Sequence, residues 1–495
     1  MPASRAGLRC GLARRTGMLA AMRLVQLFGP DPGRLQPLGI RFGDTVYASN
    51  LTGGNNGMAE ALTTLRAVLD EAGVSLDGVA RATAFVRTAA ERDPVYGPWD
   101  ALFPDAADRP AFKVLLAPLP PGVSVRLDVL ARAGARRQRI DIPGVPARDP
   151  TVKIGDWVLT SRVHGTDPRT GDVAAGGIDV EARQAFSNIA VLADNTPLAQ
   201  LTGFVRDADG AAALSRAAND ASTGLTTLTN FVPPTMQVML EAIAGSPSIR
   251  EVFADSSNGP IPDAICIDHL LFAPAIGPRT DGDFATQLRA ALEGMRATLQ
   301  RAVLGLTDIG HVTVYMADID LKPVLNQVWT EWFPNSADRP PHKYVPVDLP
   351  SGQLVQLQVF AVKDGRRQVL EIPGLVHGDP MSMGTRIGDL LFSSRIVGTD
   401  TASGSTPAGP AAQAPIAFDN LRTLLAQAGA TASDLSQVIA FIITADDRAA
   451  TQAAFDTFVS ATDGTRPRLQ FLTANLPGST TVRLEAIASL PQQRP

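Results

Sequence analysis

The polar and apolar positions of the chain follow one order of periods, and the order recurs four times. One round, read physically, opens at a Gly-Asp turn and runs into an alternating strand such as Trp157-Val158-Leu159-Thr160-Ser161. A polar Gly/Thr/Asp loop follows. Apolar residues then return at spacings of three and four, which predicts an amphipathic helix: Leu62, Leu65 and Leu69; Phe186 and Ile189; Leu288, Leu292, Met295 and Leu299; Phe418, Leu421 and Leu425. A further strand comes next. In three rounds a second helix ends in aromatics, namely Trp99 and Phe103, Trp329 and Phe333, Phe455 and Phe458.

Each round closes on a strand with one apolar face: Val125, Leu127, Val129; Val238, Leu240, Ala242; Val355, Leu357, Val359; Val482, Leu484, Ala486. A period of two sends Asp128, Glu241, Gln358 and Glu485 to the opposite face. Packing does not require an acid or amide there. Solvation of a sheet face and a functional role are both open readings.

The rounds are copies. RRQRIDIPG (136–144) matches RRQVLEIPG (366–374), and WDALFPDAADRPAFK (99–113) matches WTEWFPNSADRPPHK (329–343), both at an offset of 230 residues. RFGDTVYASNLTG, from Arg41, resembles KIGDWVLTSRVHG, which begins 112 residues later. KIGDWVLTSRVHGTD in turn resembles RIGDLLFSSRIVGTD, from Arg386. The expected organisation is A-B-A-B: a disordered leader at 1–22, then units at 23–135, 136–246, 247–365 and 366–495.

Composition narrows the chemistry. A chain of 495 residues is too long for one core, and 45% apolar against 19% charged residues is globular. A net charge of -5 argues against a nucleic-acid binder. The basic residues are nearly all Arg, with Lys only at 113, 153, 322, 343 and 363. Cys10 and Cys266 cannot build a disulfide framework, and five scattered histidines offer no metal-ligand spacing. His311 and His342 read as structural. No run is long and apolar enough for a transmembrane helix, and Arg14 and Arg15 break what a signal peptide would need. A cytoplasmic protein without membrane or nucleic-acid partners is expected.

With these stretches in view, the repeat resembles the Rid (YjgF) family of enamine/imine deaminases. The resemblance rests on IGDWVLTS, EARQAFSNI (181–189), RLQFLTANLP (468–477) and VRLEAIA (482–488), in that order. It implies an α+β fold of four tandem Rid/chorismate-mutase-like units, each a mixed or antiparallel sheet with two helices on one face. It further implies ligand clefts between neighbouring units, in an inter-unit or homo-oligomeric assembly. Four units do not divide into the family's three-fold rings one chain at a time. The implied reaction hydrolyses reactive 2-imino or 2-enamino acids to 2-keto acids and ammonia, with a carboxylate-bearing small molecule as substrate and no cofactor.

Carried over by position, the resemblance assigns the carboxylate-binding role to Arg468 and the water-activating role to Glu485. Ser394, Gln452 and Arg395 would line the cleft. The other units have Ala111 and Asp128, Gly224 and Glu241, and Pro341 and Gln358 at the two catalytic positions, so only the fourth keeps the Arg. Met381 falls near a position where many members carry tyrosine. Ser161, Arg162 and Glu241 form a possible second site. Arg162 and Arg395 stand where the family usually has Gly; each could be an extra anion-binding group or could pair with Asp167 or Asp400 on the next loop. Arg109, Arg339 and Arg466 recur in units that lack the catalytic Arg, which favours a structural role. A structural ion pair of Glu485 with Arg468 or Arg483 is the plainer reading of those residues. Two further function classes stay open: another reaction on the same scaffold, as in the chorismate-cleaving enzymes, and a non-catalytic ligand-binding or assembly protein.

Overall fold

The computed structural model describes residues 22–490 except 32, 146, 255–258, 376, 461, 463–465 and 477. The expected leader, apart from Met22, lies outside the described residues. Among the described residues the strands form four mixed sheets, drawn in chain order from 24–132, 138–244, 249–362 and 368–489. Each sheet and its two helices form one unit. No helix among the described residues is long and apolar enough to cross a membrane.

The plan of a unit follows from its periods. In the first, Thr45–Gly53 pairs antiparallel with the closing strand Val125–Arg132, which pairs antiparallel with Val79–Val86. Val79–Val86 pairs parallel with the edge strand Ala111–Leu116. Parallel neighbours need a crossover, and the helix Arg92–Leu102 supplies it. That helix and Gly57–Ala72 lie on one sheet face and cover Val125, Leu127 and Val129. The closing strands of the other units bury their apolar triplets under helices in the same way.

Two elements differ from the sequence reading. The second unit also has a second helix, Ala208–Asp220, whose buried face is alanine and leucine instead of aromatic. The matching stretches at 136–144 and 366–374 supply edge strands, Gln138–Ile140 and Gln368–Leu370.

The faces turned away from the helices are not solvated. They meet in one shared core of residues from all four sheets, among them Ile40, Tyr47, Trp157, Ile243, Phe272, Phe360, Phe392 and Ile487. Phe360 stacks between Phe272 and Phe392, with centroids 5.0 and 5.3 Å away. The period-two residues opposite the helices are therefore interior: Asp128, Glu241, Gln358 and Glu485 are all at most 5% exposed.

The units close a cycle of four within one chain. The second and third units join where Gln200 binds the backbone of Glu251, through Nε2 to O at 3.0 Å and Oε1 from N at 2.7 Å. The fourth and first join in the same way, with Gln437 on the backbone of Gln26 at 3.0 and 2.8 Å. In each case a side-chain amide stands in for a strand's backbone and satisfies buried donor and acceptor. The first meets the second, and the third meets the fourth, across buried charges.

Candidate functional site

Register fixes which positions correspond. Asp128, Glu241, Gln358 and Glu485 stand opposite Thr83, Thr202, Thr313 and Ile439 of the central strands. One strand further out, Lys113, Thr226, Lys343 and Gln470 lie at the same level. The central strand Leu435–Ile442 thus separates the strands of Arg468 and Glu485, so they are not neighbours.

Arg468 and Glu485 engage different units. The Arg468 guanidinium faces the first unit: Nη2 lies 2.6 Å from Glu71 Oε1 and Nη1 donates to the Glu71 carbonyl at 3.0 Å. Glu485 faces the third unit, where Lys343 Nζ meets its Oε2 at 2.5 Å. The pairing expected from sequence is replaced by two inter-unit ion pairs. Gln452 is elsewhere again, on the outer helix Asp447–Val459, donating to Asp456 at 2.8 Å.

The interface between the third and fourth units collects the remaining polar groups. Burial is the largest single influence on Glu485 and opposes its ionisation, but the charge and hydrogen bond of Lys343, with His311 and Arg395, together hold the carboxyl below the usual range. Burial lowers Lys343. The Arg395 guanidinium lies over the Phe441 ring at 4.2 Å, while its Nε and Nη2 have no hydrogen-bond partner among the described residues. Burial, and then the adjacent Arg483, push Arg395 down to about 10. Arg483 Nε and the Tyr315 hydroxyl are likewise without partners among the described residues. Tyr315 sits in the field of Glu485 and Arg395. Ser394 is fully buried; its Oγ donates to the Met383 carbonyl at 3.1 Å and meets His377 Nε2 at 2.7 Å. Asp379 is already bound by Lys322 at 2.8 Å and Asn326 at 2.9 Å.

The matching interface of the first and second units has the same Lys–Glu pair but is plugged. Glu241 takes Lys113 at 2.5 Å and Arg81 at 2.5 Å, and Arg81 reaches on to Glu251 of the third unit at 2.7 Å. At the position of Arg81 the third unit has His311, which burial pushes down to about 4. It is neutral near pH 7, and its Nε2 has no partner among the described residues. Ser161 donates to the Asp149 carbonyl at 2.6 Å and Arg162 to the Phe231 carbonyl at 2.9 Å. Burial, then Arg92, lower Arg162 to about 10. The cavity beside Ser161 and Arg162 is ≈ 30 Å³, room for little beyond a water.

The loop ion pairs considered for Arg162 and Arg395 do not form. Asp167 holds Arg169 at 2.8 Å, and Asp400 accepts the backbone amides of Ala402 and Ser403. Arg109 and Arg339 brace the ends of their second helices, through the Phe103 and Phe333 carbonyls at 2.9 and 2.8 Å. His342 is fully buried against Trp329, centroids 4.4 Å apart.

Sequence reasoning missed Lys113 and Lys343. The signal was present: two of the five lysines end the duplicated Trp-to-Lys stretches, at the same place in both. An ammonium reaching from an A unit to a B-unit carboxylate is invisible until the units are set side by side.

Comparison with known proteins finds relatives that each cover about a quarter of the chain or less. The Endoribonuclease L-PSP family profile matches residues 264–363. A RutC family protein of Pyrococcus abyssi is 30% identical over 114 residues, 21% of this chain and 88% of that protein. The 2-iminobutanoate/2-iminopropanoate deaminase of Escherichia coli K12 is 27% identical over 110 residues, 22% of this chain and 86% of the relative. Among solved structures, the yjgF gene product of Escherichia coli is 24% identical and covers 25% of this chain and 98% of its own, with a TM-score of 0.24. The chain belongs to the Rid (YjgF, L-PSP) family.

Proposed function

We propose that the cleft between the third and fourth units hydrolyses a reactive 2-imino or 2-enamino acid to its 2-keto acid and ammonia. The observation that carries this reading is the buried Glu485 beside the unpaired guanidinium of Arg395, in a chain whose relatives include a 2-iminobutanoate/2-iminopropanoate deaminase. In this reading Arg395 and Arg483 hold the substrate carboxylate, the role that sequence assigned to Arg468. A planar guanidinium matches a carboxylate's two oxygens and fixes the C=N carbon in place. Tyr315 offers a further donor.

Water adds to the C=N carbon as Glu485 takes its proton. The C–O bond forms, the C=N π pair moves to nitrogen, and the proton passes to the leaving amine. Collapse of the carbinolamine breaks the C–N bond, releases ammonia, passes the hydroxyl proton back to Glu485 and leaves the ketone. An iminium is already electrophilic, so a carboxylate kept ionised by Lys343 is base enough. Positioning supplies most of the acceleration.

The test generates imines in situ with an amino-acid oxidase and follows keto-acid and ammonia release. The parent should accelerate release over buffer, and Glu485→Gln and Arg395→Gln should abolish most of the gain. No acceleration by the parent, or both variants as active as the parent, refutes the reading.

A further inference from the structure

The two interfaces zipped by glutamine are built alike but finished differently. Between the fourth and first units, the Glu71 carboxylate accepts the backbone amides of Phe28 at 3.0 Å and Gly29 at 2.6 Å, and it pairs with Arg468. Helix, loop and strand are thereby clamped on one anion. Between the second and third units each partner has changed. Gly224 occupies the level of Arg468, because Gln200 and Gln437 are equivalent and Thr202 pairs with Thr226 as Ile439 pairs with Gln470. Arg301, 230 residues after Glu71, ends the matching helix Phe284–Arg301. Phe253 follows the strand Ile249–Val252 as Phe28 follows Leu24–Leu27.

The outcome is a cavity. It measures ≈ 310 Å³ and is lined by Gly224, Leu225, Thr226, Arg250, Phe253 and Arg301 among others. A Cβ built on Gly224 would meet nothing within 4 Å, so the strand side is open. Two arginines line the cavity, and an arginine at 301 can accept no amide hydrogen bond. The carboxylate of Glu251, which also borders it, is committed to Arg81 at 2.7 Å. Arg250 is steadied by the Ala302 carbonyl at 3.5 Å. The place filled by a glutamate carboxylate in one interface is thus vacant and positively charged in the other.

We propose that this cavity is a second binding site, for a small carboxylate with a short apolar tail. The ligand's carboxylate takes the place of Glu71's, held by Arg301, Arg250 and the Phe253 amide. Its tail lies along Leu225 and Val252. The site is independent of the cleft between the third and fourth units and stands whether or not that cleft hydrolyses imines.

Butanoate is the probe and butanamide its neutral control, followed by titration calorimetry and by soaked crystals. The parent should bind butanoate and not butanamide, with density between the second and third units. Arg301→Gln should weaken this binding at least tenfold. The double variant Gly224→Arg/Arg301→Glu rebuilds the ion pair of the sister interface and should abolish it. Hydrolytic activity, measured on the same variants, should not change. Butanoate found only beside Arg395, or bound equally well by parent, Arg301→Gln and the double variant, overturns the second site and leaves the proposed reaction standing. Loss of imine hydrolysis in the parent would overturn the reaction and leave the second site standing.

Discussion

Replacing Lys343 by methionine should reverse the sign of the pH dependence at Glu485. In the parent, the Lys343 ammonium holds the carboxyl below its ordinary value. That stabilisation is present above the unfolded pKa and fades as pH falls through the folded one. In Lys343→Met the ammonium is gone while both positions stay buried, at 5% and 3% exposure. Burial, the largest single influence on the group, should then push the carboxyl up against the remaining pull of Arg395, and stability is lost as pH rises from the unfolded value toward the raised one. His311 and Arg395, which also lower the carboxyl, and Tyr315 are the other groups facing it. Stranding one member of a buried pair costs about 3–5 kcal/mol. The full penalty should show at pH 7.5 and shrink near pH 4.5, where the carboxyl protonates. Urea unfolding at the two pH values, parent against variant, reads it out. Lys343→Met/Glu485→Gln should recover most of the loss at pH 7.5. An equal penalty at both pH values, or no recovery in the double variant, would show that the pair is not electrostatically coupled.

Two further outcomes follow from the same reasoning. Burial raises Asp149 to about 6, so its folded-state proton is favoured and stability declines between about pH 4 and 6. Asp149→Asn should match the parent near pH 4 and exceed it by about 2–3 kcal/mol at pH 7.5 in urea unfolding; equal stability at both would sink the assignment. Arg468→Ala removes a partly exposed inter-unit ion pair and should cost about 1 kcal/mol while leaving imine hydrolysis within about twofold. A drop of about a hundredfold in rate would return Arg468 to the catalytic role that sequence gave it.

What the sequence disclosed and what it withheld divide along a physical line. Periods of two and three to four residues are set within one unit, so the helices, the closing strands and the placing of Glu485 on the face opposite the helices were legible. Whether Glu485 faced water or protein was not, because that depends on how sheets stack. Arg468 and Glu485 belong to one unit's motif, which made them look like partners. Their true partners, Glu71 and Lys343, lie in other units. Contacts between distant copies leave no local period to read, and only the scarcity of lysine marked Lys113 and Lys343.

The cycle of four has an evolutionary consequence. In an assembly of identical subunits, any substitution appears at every junction at once, so no junction can specialise without the others. Covalent fusion removes that constraint. Here one junction is plugged by Arg81, one is clamped by Arg468, one is hollow at Gly224, and one keeps an unspent guanidinium at Arg395. A single polypeptide can thus carry four fates of one ancestral crevice, each free to drift alone.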